Sequence, residues 1–240
     1  MDDGKNSTNE ADSDGTPSLE GRDTWVFDLD NTLYPASSNL FDQVDRRIGA
    51  FIQQFLSLNA MEARTLQKQY FRAFGTTLRG LTQNHGANPR EFLDFVHDID
   101  FSRIFPDPSL AAAIARLPGR KIIFTNADAA YAEKVMKRIG VWQLFDGIFD
   151  IEAADFLPKS HAQTYLGLLE AHGIEPQRAV LVDDIPRNLA PAAALGMTTV
   201  WIRNDQWMET GSATDDLEFD HVVEDLTAWL EGVATAFDGI

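Results

Sequence analysis

Two pairs of acidic residues stand where short apolar runs end. Asp28 and Asp30 follow Thr-Trp-Val-Phe, and Asp183 and Asp184 follow Ala-Val-Leu-Val. Such runs predict buried strands, and the carboxyl ends of parallel strands share one edge of a sheet. The two pairs are therefore expected to converge, and clustered carboxylates suit a hard cation such as Mg²⁺. For the first pair alone, capping of the Asp-Asn-Thr turn is an alternative interpretation.

Three more polar residues lie between these pairs in the sequence. Thr125 and Asn126 end the apolar run that starts at Arg120 and precede a helix predicted from Asp128. A hydroxyl, an amide and the free N–H groups of a helix N-terminus can cradle an anion. Lys159 precedes another predicted helix and supplies a positive charge that can reach the same edge. Taken singly, each residue is also explained as a helix cap or a surface residue.

Strands and helices alternate around these residues. Strands are predicted from Thr24 and over Arg120–Thr125, Gly147–Ile151, Ala179–Asp183 and Thr198–Ile202, and helices over Asp128–Ile139, Ser160–Ala171 and Pro186–Leu195. Ser160 is expected to cap its helix, and glycines follow all three helices. The alternation predicts an α/β fold with a doubly wound parallel sheet, a Rossmann-like core.

About 85 residues separate the first two strands, more than a simple crossover needs. An apolar stripe from Leu40 to Phe55 predicts one amphipathic helix. Asn59 and Glu62 form a capping-box pattern for a second helix reaching about Phe74, and Asn88-Pro89 starts a third. We expect a disordered acidic tail over 1–22, an α/β core over 23–36 and 104–240, and an inserted helical cap over 37–103. A last helix is expected over Asp220–Phe237, packed on the core.

The formal net charge of -17 is concentrated at the two ends, with -5 in residues 1–23 and -10 in residues 205–240. An acidic chain is a poor partner for a nucleic acid polymer or a membrane surface, whereas the nearly neutral middle can hold a small anion. The sequence has no cysteine, no signal or transit pattern and no long apolar stretch, so a cytoplasmic protein is expected. The five histidines show no metal-ligand spacing. The oligomeric state stays open.

The strand-end residues resemble the four ordered motifs of the haloacid dehalogenase-like (HAD) phosphatase superfamily. The motifs are Asp28-Leu29-Asp30-Asn31-Thr32, Thr125-Asn126, Lys159 and Asp183-Asp184, with the helical insertion where that superfamily has its C1 cap. Residues 27–35, Phe-Asp-Leu-Asp-Asn-Thr-Leu-Tyr-Pro, resemble the opening of the pyrimidine 5′-nucleotidase branch. The cap stretch Phe74–Leu81, followed by Asp98-Ile99-Asp100, is similar to that branch as well.

This resemblance implies a role for each strand-end residue. Asp28 would attack phosphorus to give an aspartyl-phosphate, while Asp30 would act as general acid and then general base. Mg²⁺ would be held by Asp28, the backbone carbonyl of Asp30 and Asp184, with Asp183 binding directly or through water. Lys159, Thr125 and Asn126 would hold the phosphoryl oxygens. Two positions depart from the family pattern: Ser160 replaces a proline after Lys159, and Asn188 replaces an acid.

The resemblance also implies a small phosphate ester as substrate, namely a pyrimidine nucleoside 5′-monophosphate of the UMP or CMP type. Phe74, Gly75, Thr76 and Thr77 are the cap residues expected to touch its base or ribose, although a helix end and turn explains them equally well. Alternatives are a phosphatase for a sugar phosphate or phosphoglycolate, and a non-catalytic scaffold. A signalling receiver domain fits poorly, because its acidic pair would lie on the first strand and its phosphorylated aspartate on the third.

Overall fold

The computed structural model describes residues 18–204 and 218–238. Within them lies one six-stranded sheet in the order β3-β2-β1-β4-β5-β6, and every neighbouring pair is parallel. The strands are β1 (Thr24–Phe27), β2 (Arg120–Phe124), β3 (Gly147–Phe149), β4 (Ala179–Asp183), β5 (Thr198–Ile202) and β6 (His221–Val223). The predicted α/β class with a parallel sheet is confirmed.

Helices cover both faces of the sheet. They are α5 (Pro108–Arg116), α6 (Ala129–Ile139), α7 (Ala162–His172), α8 (Pro186–Ala194) and α9 (Leu226–Asp238). Successive strand residues alternate between two apolar clusters: Trp25 and Phe27 pack on the side of α5, α6 and α9, and Val26 packs on the side of α7 and α8. The sheet is therefore doubly wound, as predicted.

Two predicted helix starts were wrong. Residues 221–223 of the expected helix Asp220–Phe237 form β6, because the valines of His-Val-Val extend the sheet by pairing with β5. Asp225 then accepts a hydrogen bond from the N–H of Ala228 and starts α9. Ser160 does not cap α7, which begins two residues later at Ala162. Residues 158–161 form a turn, in which the N–H of His161 donates to the carbonyl of Pro158.

Four helices lie between β1 and α5, and we call them the cap. They are α1 (Phe41–Leu56), α2 (Ala60–Phe74), α3 (Thr77–His85) and α4 (Pro89–Val96). The capping box of Asn59 and Glu62 is present, and Asn88 caps α4. The helix α3 was not predicted; of its nine residues only Thr77 was considered, as part of a possible helix end and turn. Apolar side chains of the cap belong to the same cluster as those of α5, α6 and α9.

Residues 1–17 of the predicted tail lie outside the described residues. Residues 18–22 are described: Leu19 packs against the core, and Nε of Arg22 donates to Oγ1 of Thr198 at 2.9 Å. Throughout ranges 18–204 and 218–238, every helix is too short or too polar to cross a bilayer.

Candidate active site

Three buried carboxylates meet at the carboxyl edge of the sheet. Asp28 follows β1, Asp183 ends β4, and Asp184 is the next residue; one carboxylate oxygen of each lies within 4.8 Å of the others. Because β1 and β4 are adjacent parallel strands, the register brings together residues about 155 positions apart in sequence. Asp28 is 7% exposed, and the other two are 1% exposed or less. The predicted convergence of the two acidic pairs is thus present in the fold.

Lys159 is buried between two of these carboxylates. Its Nζ lies 2.5 Å from Oδ1 of Asp28 and 2.9 Å from Oδ2 of Asp183. Burial of Lys159 disfavours its charge, but the two carboxylates outweigh that effect and raise its pKa. The turn at 158–161 places the lysine, because the backbone N–H of Lys159 donates to Oδ1 of Asn126 at 3.0 Å. Lys159 therefore carries a fixed positive charge at this edge of the sheet.

Asp183 and Asp184 differ in their surroundings. Both oxygens of Asp183 accept hydrogen bonds, from Nζ of Lys159, the N–H of Ile185 at 2.8 Å and Nδ2 of Asn188 at 3.0 Å. Oδ2 of Asp184 accepts from Nδ2 of Asn204 at 3.1 Å, and Asp184 lines the central cavity. Both carboxylate oxygens of Asp183 are thus hydrogen-bonded within the protein. Asn188, at the position where the family often has an acid, donates one of these hydrogen bonds.

This edge of the sheet has the chemistry of a Mg²⁺ site. Among the described residues, the Lys159 ammonium pairs with both Asp28 and Asp183, so one positive charge faces two carboxylates. Burial raises the pKa of Asp28 to about 7, with Lys159 opposing and Asp183 adding to the shift. A raised pKa means that the protein environment disfavours the ionised carboxylate, and a bound cation would offset that unfavourable free energy. Oxygen ligands of this kind fit Mg²⁺, with Asp28 and Asp184 best placed to hold it.

Thr125 and Asn126 line the cavity beside Asp28. The expected cradle of free N–H groups at the start of α6 was wrong in part, because several of these groups are already bonded. The N–H of Ala127 donates to Oγ1 of Thr125 at 3.0 Å. The N–H of Ala129 donates to a carboxylate oxygen of Asp150 at 2.8 Å, and that of Tyr131 to a carboxylate oxygen of Asp128 at 2.8 Å. The Thr125 hydroxyl and the Asn126 amide are therefore the groups at this strand end that could hold an anion.

Asp30 lines the same cavity and is half-buried. Its Oδ1 accepts hydrogen bonds from the hydroxyls of Tyr34 at 2.5 Å and Tyr131 at 2.7 Å. Enclosure by the protein raises the pKa of Asp30, and the two hydroxyls oppose that shift. A raised pKa favours the protonated carboxyl, which is the form that a general acid needs.

The strand-end residues face a cavity that the cap closes. Its empty volume is about 870 Å³, including the opening to solvent. The core side is polar, with Asp28, Asp30, Thr125, Asn126 and Asp184. Apolar side chains make most of the cap side, namely Phe41, Val44, Ile48, Phe71, Leu78, Phe92, Leu93 and Val96. An anion fits the core wall, and a flat or apolar group fits the cap wall.

The predicted cap contacts divide into two groups. Thr76 and Thr77 line the cavity, whereas Phe74 and Gly75 are outside its lining. The ring of Phe74 packs edge-on against Tyr70 at 5.5 Å. A Cβ on Gly75 would lie 2.1 Å from Oγ of Ser160. These two residues therefore serve packing within the cap and the junction between cap and core.

Two lining residues, Phe71 and His97, were missed by sequence reasoning. Phe71 belongs to the same apolar stripe of α2 as Phe74, and the stripe does not say which ring meets the cavity. The guanidinium of Arg187 on α8 stacks on the Phe71 ring, with Cζ 4.0 Å from its centroid. His97 ends α4, and its Nδ1 lies 2.5 Å from Oδ2 of Asp128 in the core.

A doubly wound parallel sheet with polar residues gathered at its carboxyl edge belongs to the class of α/β proteins that bind ligands beyond their strand ends. Residues 23–196 match the sequence model of a hydrolase family described as haloacid dehalogenase-like hydrolase. The match covers most of the chain, so the chain belongs to this family, as the four motifs suggested.

Individual relatives are distant. Phosphate metabolism protein 8 of Saccharomyces cerevisiae is 26% identical over 195 residues, which are 73% of this chain and 60% of the yeast protein; the match thus spans less than two thirds of that relative. Glyceraldehyde 3-phosphate phosphatase of Methanopyrus kandleri is 27% identical over 207 residues, 80% of this chain and 88% of that protein. The crystal structure of the HAD phosphatase from Thermococcus onnurineus aligns with a TM-score of 0.57 at 18% identity, covering 90% of this chain and 98% of that one. At that identity the likeness shows the fold alone.

Proposed function

We propose that this protein is a Mg²⁺-dependent phosphomonoesterase that hydrolyses pyrimidine nucleoside 5′-monophosphates, of the UMP or CMP type, to nucleoside and phosphate. The observation that carries the proposal is the cavity itself. Buried Asp28 lines its polar floor and pairs with buried Lys159, and an apolar wall containing Phe71 faces Asp28 from the cap. Family membership supports the general part of the proposal, that the protein is a phosphoric monoester hydrolase. Two relatives support it as well, one named for phosphate metabolism and one for phosphatase activity.

In the first step a carboxylate oxygen of Asp28 attacks phosphorus. The bond between phosphorus and the ester oxygen breaks, and its electron pair stays on the departing oxygen. Asp30 donates its proton to that oxygen, so that the nucleoside leaves as a neutral alcohol. The product on the protein is an aspartyl-phosphate at Asp28. The hydroxyl of Thr32, 3.0 Å from Oδ2 of Asp28, orients the carboxylate from its other side.

In the second step Asp30, now ionised, takes a proton from water as that water attacks phosphorus. The bond to Asp28 breaks, phosphate is released and both carboxyl groups return to their starting states. Lys159 and the Thr125 and Asn126 side chains stabilise the charge on the phosphoryl oxygens in both steps. Asp28 and Asp184 would hold a Mg²⁺ ion, which when bound would supply further neutralisation of those oxygens. Asp183 holds Lys159 in place through their ion pair.

The position of Phe71 supports a substrate that carries an aromatic base. The guanidinium of Arg187 braces the Phe71 ring and also donates to the carbonyls of Phe71 and Gly75 at 3.0 and 2.9 Å. A ring braced in this way offers a rigid surface on which a pyrimidine can stack. Thr76 and Thr77 also line the cavity, which supports assigning to them the contact with the base or ribose. We infer that residues 37–103 act as the substrate-selecting cap.

A sugar phosphate is the second candidate substrate. The relative from Methanopyrus kandleri, which matches over 80% of this chain, is named for its action on glyceraldehyde 3-phosphate. The apolar cap wall weighs against this alternative, because a polyhydroxylated leaving group would lose hydrogen bonds to water without gaining partners there.

A panel of phosphate esters tests the proposal. Purified protein with Mg²⁺ is assayed for phosphate release from UMP, CMP, AMP, GMP, glyceraldehyde 3-phosphate and phosphoglycolate, with Asp28→Asn as the inactive control. We expect the highest kcat/KM for UMP or CMP. A preference for the sugar phosphate or phosphoglycolate would overturn the nucleotide assignment while leaving the phosphatase in place. Full turnover by Asp28→Asn would overturn the mechanism, and no release from any ester would favour a non-catalytic scaffold.

A further inference from the structure

Two tyrosine hydroxyls converge on one oxygen of Asp30. The Tyr34 hydroxyl donates to Oδ1 at 2.5 Å and the Tyr131 hydroxyl donates to the same atom at 2.7 Å. Tyr34 comes from the loop after β1 and Tyr131 from the first turn of α6, and their side chains are 3% and 1% exposed. Burial raises the pKa of both tyrosines well above the ordinary value, so they remain proton donors. Both hydrogen bonds to Asp30 therefore come from residues of the buried core and not from surface side chains.

The two bonds distinguish the oxygens of Asp30. A carboxylate oxygen has two lone pairs, and on Oδ1 both are taken by the tyrosines. Within the described part of the chain, no hydrogen bond joins Oδ2 to another group. Oδ2 is therefore the oxygen that can carry the proton toward the cavity, which Asp30 lines.

The cap reaches this arrangement through His97. The His97 ring stacks on Tyr131 with 4.2 Å between centroids and 22° between planes. Its Nδ1 lies 2.5 Å from Oδ2 of Asp128. Asp128 in turn accepts a hydrogen bond from the backbone N–H of Tyr131 at 2.8 Å through its other oxygen. His97 thus contacts both the ring of Tyr131 and the residue that caps its helix.

We propose that Tyr34 and Tyr131 are positioning residues that direct the proton-carrying oxygen of Asp30 at the leaving group, and that His97 makes this arrangement depend on the seated cap. The inference rests on the proposed function in taking Asp30 as the general acid, and it assigns no part in bond making to the tyrosines. When the ester bond breaks, the proton moves from Oδ2 of Asp30 to the departing oxygen. Oδ1 keeps both tyrosine bonds, which then stabilise the new carboxylate.

The dependence of kcat/KM on the leaving group tests this proposal. A nitrophenolate leaves without a proton, whereas an alkoxide does not. We therefore expect Tyr131→Phe and Tyr34→Phe to lower kcat/KM by about 10- to 100-fold for an alkyl phosphate, part of the range for general acid catalysis. The alkyl substrate is UMP or glycerol phosphate, whichever the wild type hydrolyses faster. For p-nitrophenyl phosphate the same variants should lose less than about threefold, and His97→Ala should show the same pattern.

Two further variants calibrate the result. Asp30→Asn removes the acid and should show the strongest leaving-group dependence. Tyr70→Phe is the matched control, because Tyr70 is also a buried residue and its hydroxyl bonds to His85 at 2.7 Å within the cap. This variant should behave as wild type on both esters. Thermal unfolding shows which variants are folded.

The outcomes separate this inference from the proposed function. Equal losses on both esters, or no loss, in both tyrosine variants would overturn the positioning role while the phosphatase stands. If Asp30→Asn lacks leaving-group dependence, the general acid is wrongly assigned and the positioning role fails with it. A wild-type preference for glycerol phosphate over UMP would overturn only the nucleotide assignment. A wild type inactive on every ester would overturn both proposals.

Discussion

Nζ of Lys159 lies 2.5 Å from Oδ1 of Asp28, and both groups are buried where β1 ends. The ammonium also pairs with Asp183, so a single positive charge holds two carboxylates that would otherwise repel each other. Breaking a buried ion pair by removing one partner leaves uncompensated charge, which is far more costly than losing a surface pair.

Lys159→Met keeps the length of the side chain and removes its charge. At pH 7 we expect a loss of about 3 to 5 kcal/mol in the free energy of unfolding and at least about a 100-fold loss in kcat. Lys159 opposes the rise in the pKa of Asp28, so without the ammonium that pKa rises further. The folded variant then binds a proton more readily, and its deficit in stability shrinks as the pH falls. Urea denaturation at several pH values measures this effect.

The matched control is Lys137→Met, which removes an exposed lysine from its pair with Glu133 one helical turn away. We expect a change of less than about 0.5 kcal/mol there, at any pH. If the two variants lost similar stability, the buried pair would not have the importance that we assign to it.

Protons and Mg²⁺ are expected to compete for Asp28. Its pKa is raised to about 7 in the metal-free fold, whereas the ordinary value applies in the unfolded chain. This shift stabilises the metal-free fold below the ordinary pKa, and the contribution disappears as the pH rises to about 7. Mg²⁺ needs the ionised carboxylate, so its affinity should fall by up to about tenfold for each pH unit below 7. Calorimetric titration of wild type with MgCl₂ across this range measures the slope.

Asp28→Asn is the control for this competition, because an amide does not titrate. We expect weaker Mg²⁺ binding by this variant, with a flatter dependence on pH. A wild-type affinity that stays constant from about pH 5 to 8 would contradict proton competition at Asp28.

The core of the fold and the polar floor of the site could be predicted because their signals are local. A buried parallel strand is a continuous apolar run, and the acids of Asp28 and Asp183-Asp184 mark its carboxyl end. The strand β6 lacked this signal: it has three residues, its outer valine Val222 is half exposed, and an apolar helix pattern follows directly. Its pairing with β5 decides its conformation.

The cap wall and the surroundings of Asp30 depend on tertiary contacts and could not be predicted in the same way. Tyr34 and Tyr131 are 97 residues apart and meet only because α6 packs beside the loop after β1. Phe71 and Phe74 share one helical stripe, and the packing of α2 decides that Phe71 faces the cavity. For Gly75, the residue type indicated an unusual backbone, but the neighbour that requires it, Ser160, lies in another part of the sequence.

Gly75→Ala is expected to push the cap away from the core. Gly75 has a φ of 86°, and an added Cβ would lie 2.1 Å from Oγ of Ser160 and 2.9 Å from Cγ of Pro158. The serine can rotate, whereas the proline ring cannot. Gly86→Ala is the control, since Gly86 also has a positive φ, of 68°, but nothing lies within 4 Å of its added Cβ. We expect Gly75→Ala to lose about 1 to 3 kcal/mol more than the control, and its KM for the nucleotide to rise. If chemical denaturation showed equal losses of stability for Gly75→Ala and Gly86→Ala, the contact between cap and core would accommodate the added methyl group without strain.

Arg187 should matter more than Arg90, which also joins cap to core. Its guanidinium donates to two carbonyls at the end of α2, which a lysine cannot reach together. Arg187→Lys is expected to lose about 1.5 to 3 kcal/mol of stability and to raise KM for UMP, because Phe71 loses its brace, with kcat nearly unchanged. Arg90 pairs with Glu152 at 2.8 Å, but its side chain is 65% exposed, so Arg90→Lys should change stability by less than about 1 kcal/mol. Steady-state kinetics and urea denaturation of both variants compare the two contacts. If KM rose equally in both variants, any weakening of the contact between cap and core would raise KM, and the position of Phe71 would not be the cause.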